Sequence, residues 1–103
     1  MNVKGTLPML ILQVLERGPR HGYRIAQEIR TLSDGVLDLG EGTLYPALHA
    51  YENHGLLESQ EVTENGRRRR YYSLTEAGRK ALAEQRDDWR NLVAAVDLIL
   101  GEA

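Results

Sequence analysis

Apolar residues near the start of the chain recur at three- and four-residue intervals, which is the spacing of one face of a helix. This stripe consists of Leu7, Leu10, Ile11, Val14 and Leu15. Thr6 stands where a helix cap is needed, and Pro8 suits a first turn because its missing N–H has no partner there. Gly18-Pro19 ends the pattern, so the sequence predicts a first helix between these signals.

A second amphipathic pattern begins at about His21. Its predicted inner side consists of Gly22, Ile25, Ala26, Ile29 and Leu32. The residues outside that stripe are polar: Arg20, Arg24, Gln27, Glu28 and Arg30. Ser33-Asp34-Gly35 is typical of a turn, and the apolar residues Val36, Leu37 and Leu39 then predict a very short strand.

The stretch from Gly40 to Gly55 predicts a third helix with two contrasting sides. One side is apolar and suited to a core, with Leu44, Ala47, Leu48 and Tyr51. The other side is small and uncharged, with Gly42, Pro46, His49, Ala50 and Asn53, and with Thr43 and Tyr45 at its margins. Because a solvated helix face normally carries Lys, Glu and Arg, this side favours close approach to another surface.

Pro46 limits where the third helix begins, since proline is tolerated in a first turn but not in a helix interior. We therefore expect a start at about Glu41 to Thr43, with Gly42, Thr43 and Tyr45 near the amino end. Free N–H groups there attract anions such as phosphate. Gly55 is expected to end the helix.

Two strand-like runs, 56–63 and 68–74, flank Asn65-Gly66. Asn-Gly is the preferred centre of a two-residue type I′ turn because both positions need a positive φ. This turn predicts a hairpin, or wing, with a defined register. The register pairs Leu57 with Leu74, Ser59 with Tyr72, Glu61 with Arg70 and Thr63 with Arg68.

The last segment predicts a long helix that begins after a capping box of Ser73 and Glu76, or after Thr75 as an equally good cap. Its apolar stripe consists of Leu82, Trp89, Leu92, Val93, Val96, Ile99 and Leu100. A small domain offers little to cover such a stripe, so a second copy of the chain is its simplest partner.

The composition is that of one globular domain, with 103 residues, 42% hydrophobic and 27% charged. The absence of cysteine excludes disulfides and thiolate metal sites and suits a reducing cytoplasm. The sequence shows no membrane-spanning run and no signal peptide. Net charge is −2, yet four of the 13 basic residues are consecutive, Arg67 to Arg70.

No motif indicates catalysis, because the sequence lacks a nucleophile with a nearby base, a paired-carboxylate site and a glycine-rich phosphate loop. His21, His49 and His54 do not have metal-ligand spacing with an acidic partner on one helix. We therefore expect no enzyme activity, no metal and no cofactor.

Four segments in this order strongly resemble PadR-type transcriptional regulators: Gly18-Pro19-Arg20-His21-Gly22-Tyr23, Gly40 to Leu48, Gly55-Leu56-Leu57, and Arg69 to Gly78. The resemblance implies a mainly α winged helix-turn-helix with a β-hairpin wing. It implies a DNA-binding domain at 1–74, a single C-terminal dimerisation helix at 75–103, and repression of nearby genes. Relatives often carry a basic residue after the position of His49, whereas this chain has Ala50.

The expected partner is double-stranded DNA, bound by a homodimer that forms through the C-terminal helix together with the N-terminal helix. The candidate DNA contacts are Gly42, Thr43, Tyr45, Pro46, His49, Arg20, Tyr23, Arg67, Arg68 and Arg69, with Arg70 held structurally. Glu41 and Glu52 must point away from phosphate or read a cytosine. The dimer stripe named above, Leu82 to Leu100, is the candidate interface.

Two other functions fit the same residues. The outer side of the third helix could bind a partner protein, as its lack of charge allows. Alternatively, the chain could be a small-molecule sensor in which Trp89 and its symmetry mate form a slot for a flat aromatic effector, although aromatic residues also commonly anchor plain interfaces.

Overall fold

The computed structural model describes residues 5–102. Its elements are α1 (Leu7–Leu15), β1 (Arg20–His21), α2 (Gly22–Leu32), α3 (Glu41–Asn53), β2 (Leu57–Glu64), β3 (Arg67–Leu74) and α4 (Glu76–Leu100). The three strands form an antiparallel sheet in the order β1-β3-β2. Met1 to Lys4 and Ala103, at the ends of the two predicted domains, lie outside the described residues.

The predicted limits of α3 are confirmed. The helix begins at Glu41, and Gly55 adopts a left-handed φ of 77° just past its end. The Gly55 and Leu56 N–H groups donate to the Glu52 and Tyr51 carbonyls at 3.0 and 2.9 Å, which satisfies the last turn. Pro46 falls in the second turn rather than the first, and its missing N–H leaves one helix bond unmade.

The hairpin has the predicted register. Leu57 is opposite Leu74, and Glu61 is opposite Arg70. Asn65 and Gly66 have φ values of 50° and 77°, as a type I′ turn requires. The wing is therefore positioned by its own turn and by the apolar pair at its base.

The short strand expected at Val36, Leu37 and Leu39 is wrong, because these residues form a loop. The Leu37 N–H donates to Ser33 Oγ at 3.0 Å, which folds the loop back on the end of α2. The edge strand is instead β1, whose Arg20 and His21 pair with Tyr72 and Tyr71 of β3. This strand ties the start of α2 to the wing.

The core lies among α1, the inner sides of α2 and α3, the base of the hairpin and the start of α4. Its buried members are Leu7, Ile11, Leu12, Val14, Leu15, Ile25, Ile29, Leu44, Leu48, Leu57, Tyr72, Leu74 and Leu82. The placement of Leu32 on the buried stripe is wrong, since it is 65% exposed in the last turn of α2. None of the described helices is long and apolar enough to cross a membrane.

The first turns of α4 pack on the winged domain. Thr75 is the cap, and its Oγ1 accepts the Gly78 N–H at 3.0 Å, whereas Ser73 belongs to β3. Arg86 Nη1 donates to Gln13 Oε1 of α1 at 2.9 Å and forms an ion pair with Glu16. Leu82 is fully buried in this contact, so its predicted place in a dimer interface is wrong: its own chain covers it.

Candidate nucleic-acid interface

The outer flank of α3, defined as Gly42, Thr43, Pro46 and His49, is exposed. A Cβ placed on Gly42 would meet nothing within 4 Å. Ala50 and Tyr51, further round the helix, are half-buried. The described chain thus leaves the predicted docking side of α3 open, while Leu44 and Leu48 fix the opposite side in the core.

Tyr45 joins α3 to the start of α2. A Cβ on Gly22 would lie 2.7 Å from Cε1 of the Tyr45 ring and 2.9 Å from its hydroxyl oxygen, so only glycine lets the ring lie there. Tyr45 still keeps 37% of its surface exposed. Its ring therefore packs within the protein and also reaches the surface beside the outer flank.

The wing arginines differ in their partners. Arg68 and Arg70 project to one face of the hairpin and share Glu61, with N–O distances of 3.4 and 3.5 Å. Arg70 also donates to Ser59 Oγ at 3.0 Å, which agrees with its predicted structural role. Arg68 is far more exposed, and the side chain of Arg67, beside the turn, forms no ion pair or hydrogen bond with another described residue.

Arg69 projects to the opposite face of the hairpin and reaches back to β1. Its Nη1 lies 2.7 Å from Nε2 of His21. The Tyr71 ring meets the His21 ring edge-on at 5.5 Å, and its hydroxyl donates to Glu64 Oε1 at 2.6 Å. The sequence analysis missed this cluster, because only the pairing of β1 with β3 brings His21 beside residues some fifty positions away.

Two of the acidic groups, Glu52 and Glu28, have partners within the protein. Glu52 accepts a hydrogen bond from Ser59 Oγ at the base of the wing, so it is directed to the hairpin. Glu28 accepts from Nε of both Arg20 and Arg24, at 3.0 and 2.9 Å. Burial opposes ionisation of Glu28, but the two guanidinium groups hold its pKa below the usual value. Arg20 is therefore held in place, whereas Tyr23 is 67% exposed.

A cleft of about 410 Å³ lies between the start of α2, α3 and the wing. Its lining is rich in cationic and hydroxyl groups: His21, Gly22, Tyr23, Tyr45, Arg67, Arg68, Arg69, Arg70 and Tyr72. Tertiary structure thus brings five predicted DNA contacts to one cleft: Tyr23, Tyr45, Arg67, Arg68 and Arg69. That combination suits an anionic, phosphate-bearing partner.

A different surface lies along α4. Beyond Leu82 its apolar residues stay exposed, namely Trp89, Leu92, Val93, Val96, Ile99 and Leu100, with Leu98 on the other side of the helix. A cavity of about 380 Å³ adjoins Trp89 and is lined by Gly5, Thr6, Met9, Gln85, Asp88, Trp89 and Leu92. Among the residues described, no cluster of three His, Asp or Glu side chains could hold a metal ion.

Three helices followed by a two-stranded wing define a winged helix-turn-helix domain, here with a long additional helix. A model of the PadR-like family of transcriptional regulators matches residues 11–84. The chain therefore belongs to the PadR family, whose members are transcriptional regulators and not enzymes.

Relatives and solved structures agree with this assignment. Transcriptional regulator Rv3488 of Mycobacterium tuberculosis is 45% identical over 67 residues, which are 65% of this chain and 50% of that protein. A transcriptional regulator from Clostridium thermocellum has a TM-score of 0.86 at 29% identity, covering 92% of this chain and 93% of its own. A PadR family regulator from Clostridium difficile has a TM-score of 0.81 at 32% identity, covering 93% and 99%.

Proposed function

We propose that this PadR family regulator is a repressor that binds a near-palindromic operator as a homodimer. Each α3 enters a major groove with its outer flank, and each wing places Arg67, with Arg68 or Arg69, against flanking phosphates or a narrow minor groove. The observation that carries the proposal is the open, uncharged outer flank of α3, together with the cleft that Tyr45 of the same helix shares with the wing arginines.

The exposed stripe of α4 supports the homodimer. Its six apolar side chains keep between 36% and 83% of their surface exposed in the described chain, and burying them against a second copy would remove this apolar surface from water. In a two-fold dimer the two α3 helices would face half-sites about one helical turn apart. We further expect α1 to contribute to this interface, since Met9 lies beside Trp89.

The direct test selects bound fragments from a random duplex library and then measures affinity for the selected duplex and for a scrambled duplex. If each dimer neutralises about six phosphates, affinity should fall roughly a thousandfold between 50 and 200 mM salt. Tight binding to the selected duplex alone would support a sequence-specific regulator. A protein-interaction module would show neither a selected sequence nor a steep salt slope.

Replacing Arg67 with alanine is expected to weaken binding to the selected and the scrambled duplex alike, by about tenfold for a dimer that loses two exposed phosphate contacts. The slope of log affinity against log salt should flatten by about 2. Fluorescence anisotropy across a salt series measures both quantities.

The matched control is Arg90→Ala, which removes the same charge from an exposed site on α4, where Asp87 is the ion-pair partner of Arg90 within residues 5–102. It should leave affinity and slope close to wild type. Equal effects of the two substitutions would show that overall charge, and not the wing, governs binding.

We also propose that a flat aromatic molecule binds beside Trp89 and alters the dimer. The cavity next to the indole, whose lining includes the apolar residues Met9 and Leu92, supports this role. A ligand there could change DNA binding only if it favoured one arrangement of the two domains over another.

Titration with a neutral coumarin should quench Trp89 fluorescence saturably and transfer emission to the coumarin, because Trp89 is the chain's single tryptophan. The control is N-acetyltryptophanamide in the same titration, which should show only linear quenching. Identical curves for protein and control would exclude such a site.

A further inference from the structure

His21 lies where α2 begins and where the wing meets the domain. Its backbone belongs to β1 and its side chain caps α2, with the Arg24 N–H directed at Nδ1 from 3.3 Å. The other ring nitrogen, Nε2, faces Nη1 of Arg69 at 2.7 Å. One imidazole thus contacts both the start of a helix and an arginine of the wing.

Both partners of the ring are obligatory donors. A backbone N–H and a guanidinium can only donate, and a neutral imidazole has a single acceptor nitrogen. The neutral ring can therefore accept from one partner at a time, and a protonated ring can accept from neither. Protonation would also set two positive charges 2.7 Å apart.

The charges around the ring favour the neutral form in the free protein. The titratable and charged groups that face it are Arg69 and Tyr71 of β3, Glu64 of β2, and Arg24 and Tyr23 of α2. Burial and then the Arg69 guanidinium lower the pKa of His21, and Arg24 adds to this, while Glu64 acts in the opposite direction.

We propose that His21 is a positioning residue for Arg69 and that DNA binding protonates it. The neutral ring, in the tautomer whose Nε2 accepts a hydrogen bond, holds Arg69 against β1 until a duplex phosphate takes over the guanidinium. This inference rests on the proposed function, because it requires a phosphate to enter the cleft that His21 and Arg69 share.

The direction of the pH dependence follows from this exchange. A phosphate that neutralises Arg69 removes a charge that opposes protonation, so the pKa of His21 is higher in the complex than in the free protein. The complex then binds more protons, and affinity is greatest at low pH. Affinity falls as the pH rises from the pKa of His21 in the free protein to its pKa in the complex. The fall is about tenfold per protomer for each pH unit that separates these two pKa values.

The experiment measures affinity for the selected duplex from about pH 5.5 to pH 8.5 at constant ionic strength. Wild type should bind more weakly as pH rises. His21→Asn should lose most of this slope, because asparagine still caps α2 but is too short to reach Arg69 and does not titrate. Arg69→Gln should bind more weakly throughout and have a shallower slope.

His54→Asn is the control, since His54 is exposed at the end of α3 and lies outside the cleft, and it should keep the wild-type slope. An NMR titration of the free protein adds an independent readout: Arg69→Gln should raise the pKa of His21. A wild-type pH dependence of affinity in His21→Asn, or an unchanged pKa of His21 in Arg69→Gln, would overturn this inference and leave the proposed function intact. Failure of wild type to bind any selected duplex would overturn the proposed function as well.

Discussion

Replacing Gly78 with alanine should lower the free energy of unfolding by about 3 kcal/mol and the melting temperature by about 10–20 °C. A Cβ at this position would lie 2.1 Å from the Leu56 carbonyl oxygen and 3.2 Å from Cδ2 of Leu74. The first neighbour is backbone, so no side-chain rotation relieves the overlap. Differential scanning calorimetry at fixed protein concentration measures the loss.

The surroundings of Gly78 cannot move without further cost. The Leu56 carbonyl accepts the Thr75 N–H at 3.2 Å, and Thr75 Oγ1 donates to the Gly55 carbonyl at 2.6 Å. Moving α4 away would therefore break the contacts that hold its start, and it would open the core around Leu82.

Gly42→Ala is the matched control for Gly78→Ala, since a Cβ there meets nothing within 4 Å and α3 favours alanine over glycine. It should leave stability unchanged or raise it by up to about 1 kcal/mol. A melting temperature of Gly78→Ala within roughly 2 °C of wild type would mean that α4 does not approach the hairpin this closely.

The second large effect is expected from Leu92→Glu combined with Val96→Glu. Two carboxylates on the exposed apolar face of α4 would have to be buried unpaired in a dimer, so the chain should become monomeric. A monomer binds one half-site and loses the linkage between the two domains. Affinity for the selected duplex should then fall by roughly a hundredfold or more.

Light scattering coupled to size-exclusion chromatography gives the mass, and anisotropy gives the affinity. Leu98→Glu is the control: it adds a carboxylate to an apolar residue that is more exposed than Leu92 and Val96 and lies about two and a half turns after Trp89, on the opposite side of α4. A double variant that stays dimeric would show that this face is not the interface. A monomeric variant with wild-type affinity would show that DNA binding does not require the dimer.

The wing was predictable because residues that are close together in the sequence determine its turn and its register. Asn65 and Gly66 are among the few residue pairs that adopt a type I′ turn easily, and a two-residue turn leaves only one register for the strands. Slipping that register by one residue would turn Leu57 and Leu74 out of the core. The end of α3 followed in the same way from Gly55, which adopts the left-handed conformation that glycine favours.

The position of α4 against the domain was not predictable from its stripe. Leu82 and Trp89 lie on one face of the helix, so the apolar pattern predicts the same partner for both. Only packing against α1 and the hairpin buries Leu82 and leaves Trp89 partly exposed. A periodic pattern shows which apolar residues form one face of a helix, but not whether their own chain or a second copy buries that face.

By itself, therefore, the sequence determined the helices, the wing, its register and the uncharged flank that α3 presents, because each depends on neighbours within a few residues. Tertiary structure alone decided that Arg20 and His21 form an edge strand, that Arg69 reaches His21, and that Ser59 engages Glu52. Those contacts join residues that are distant along the chain or lie on separate elements. Two-residue strands and single side-chain contacts leave no periodic trace, so only the assembled core brings their partners together.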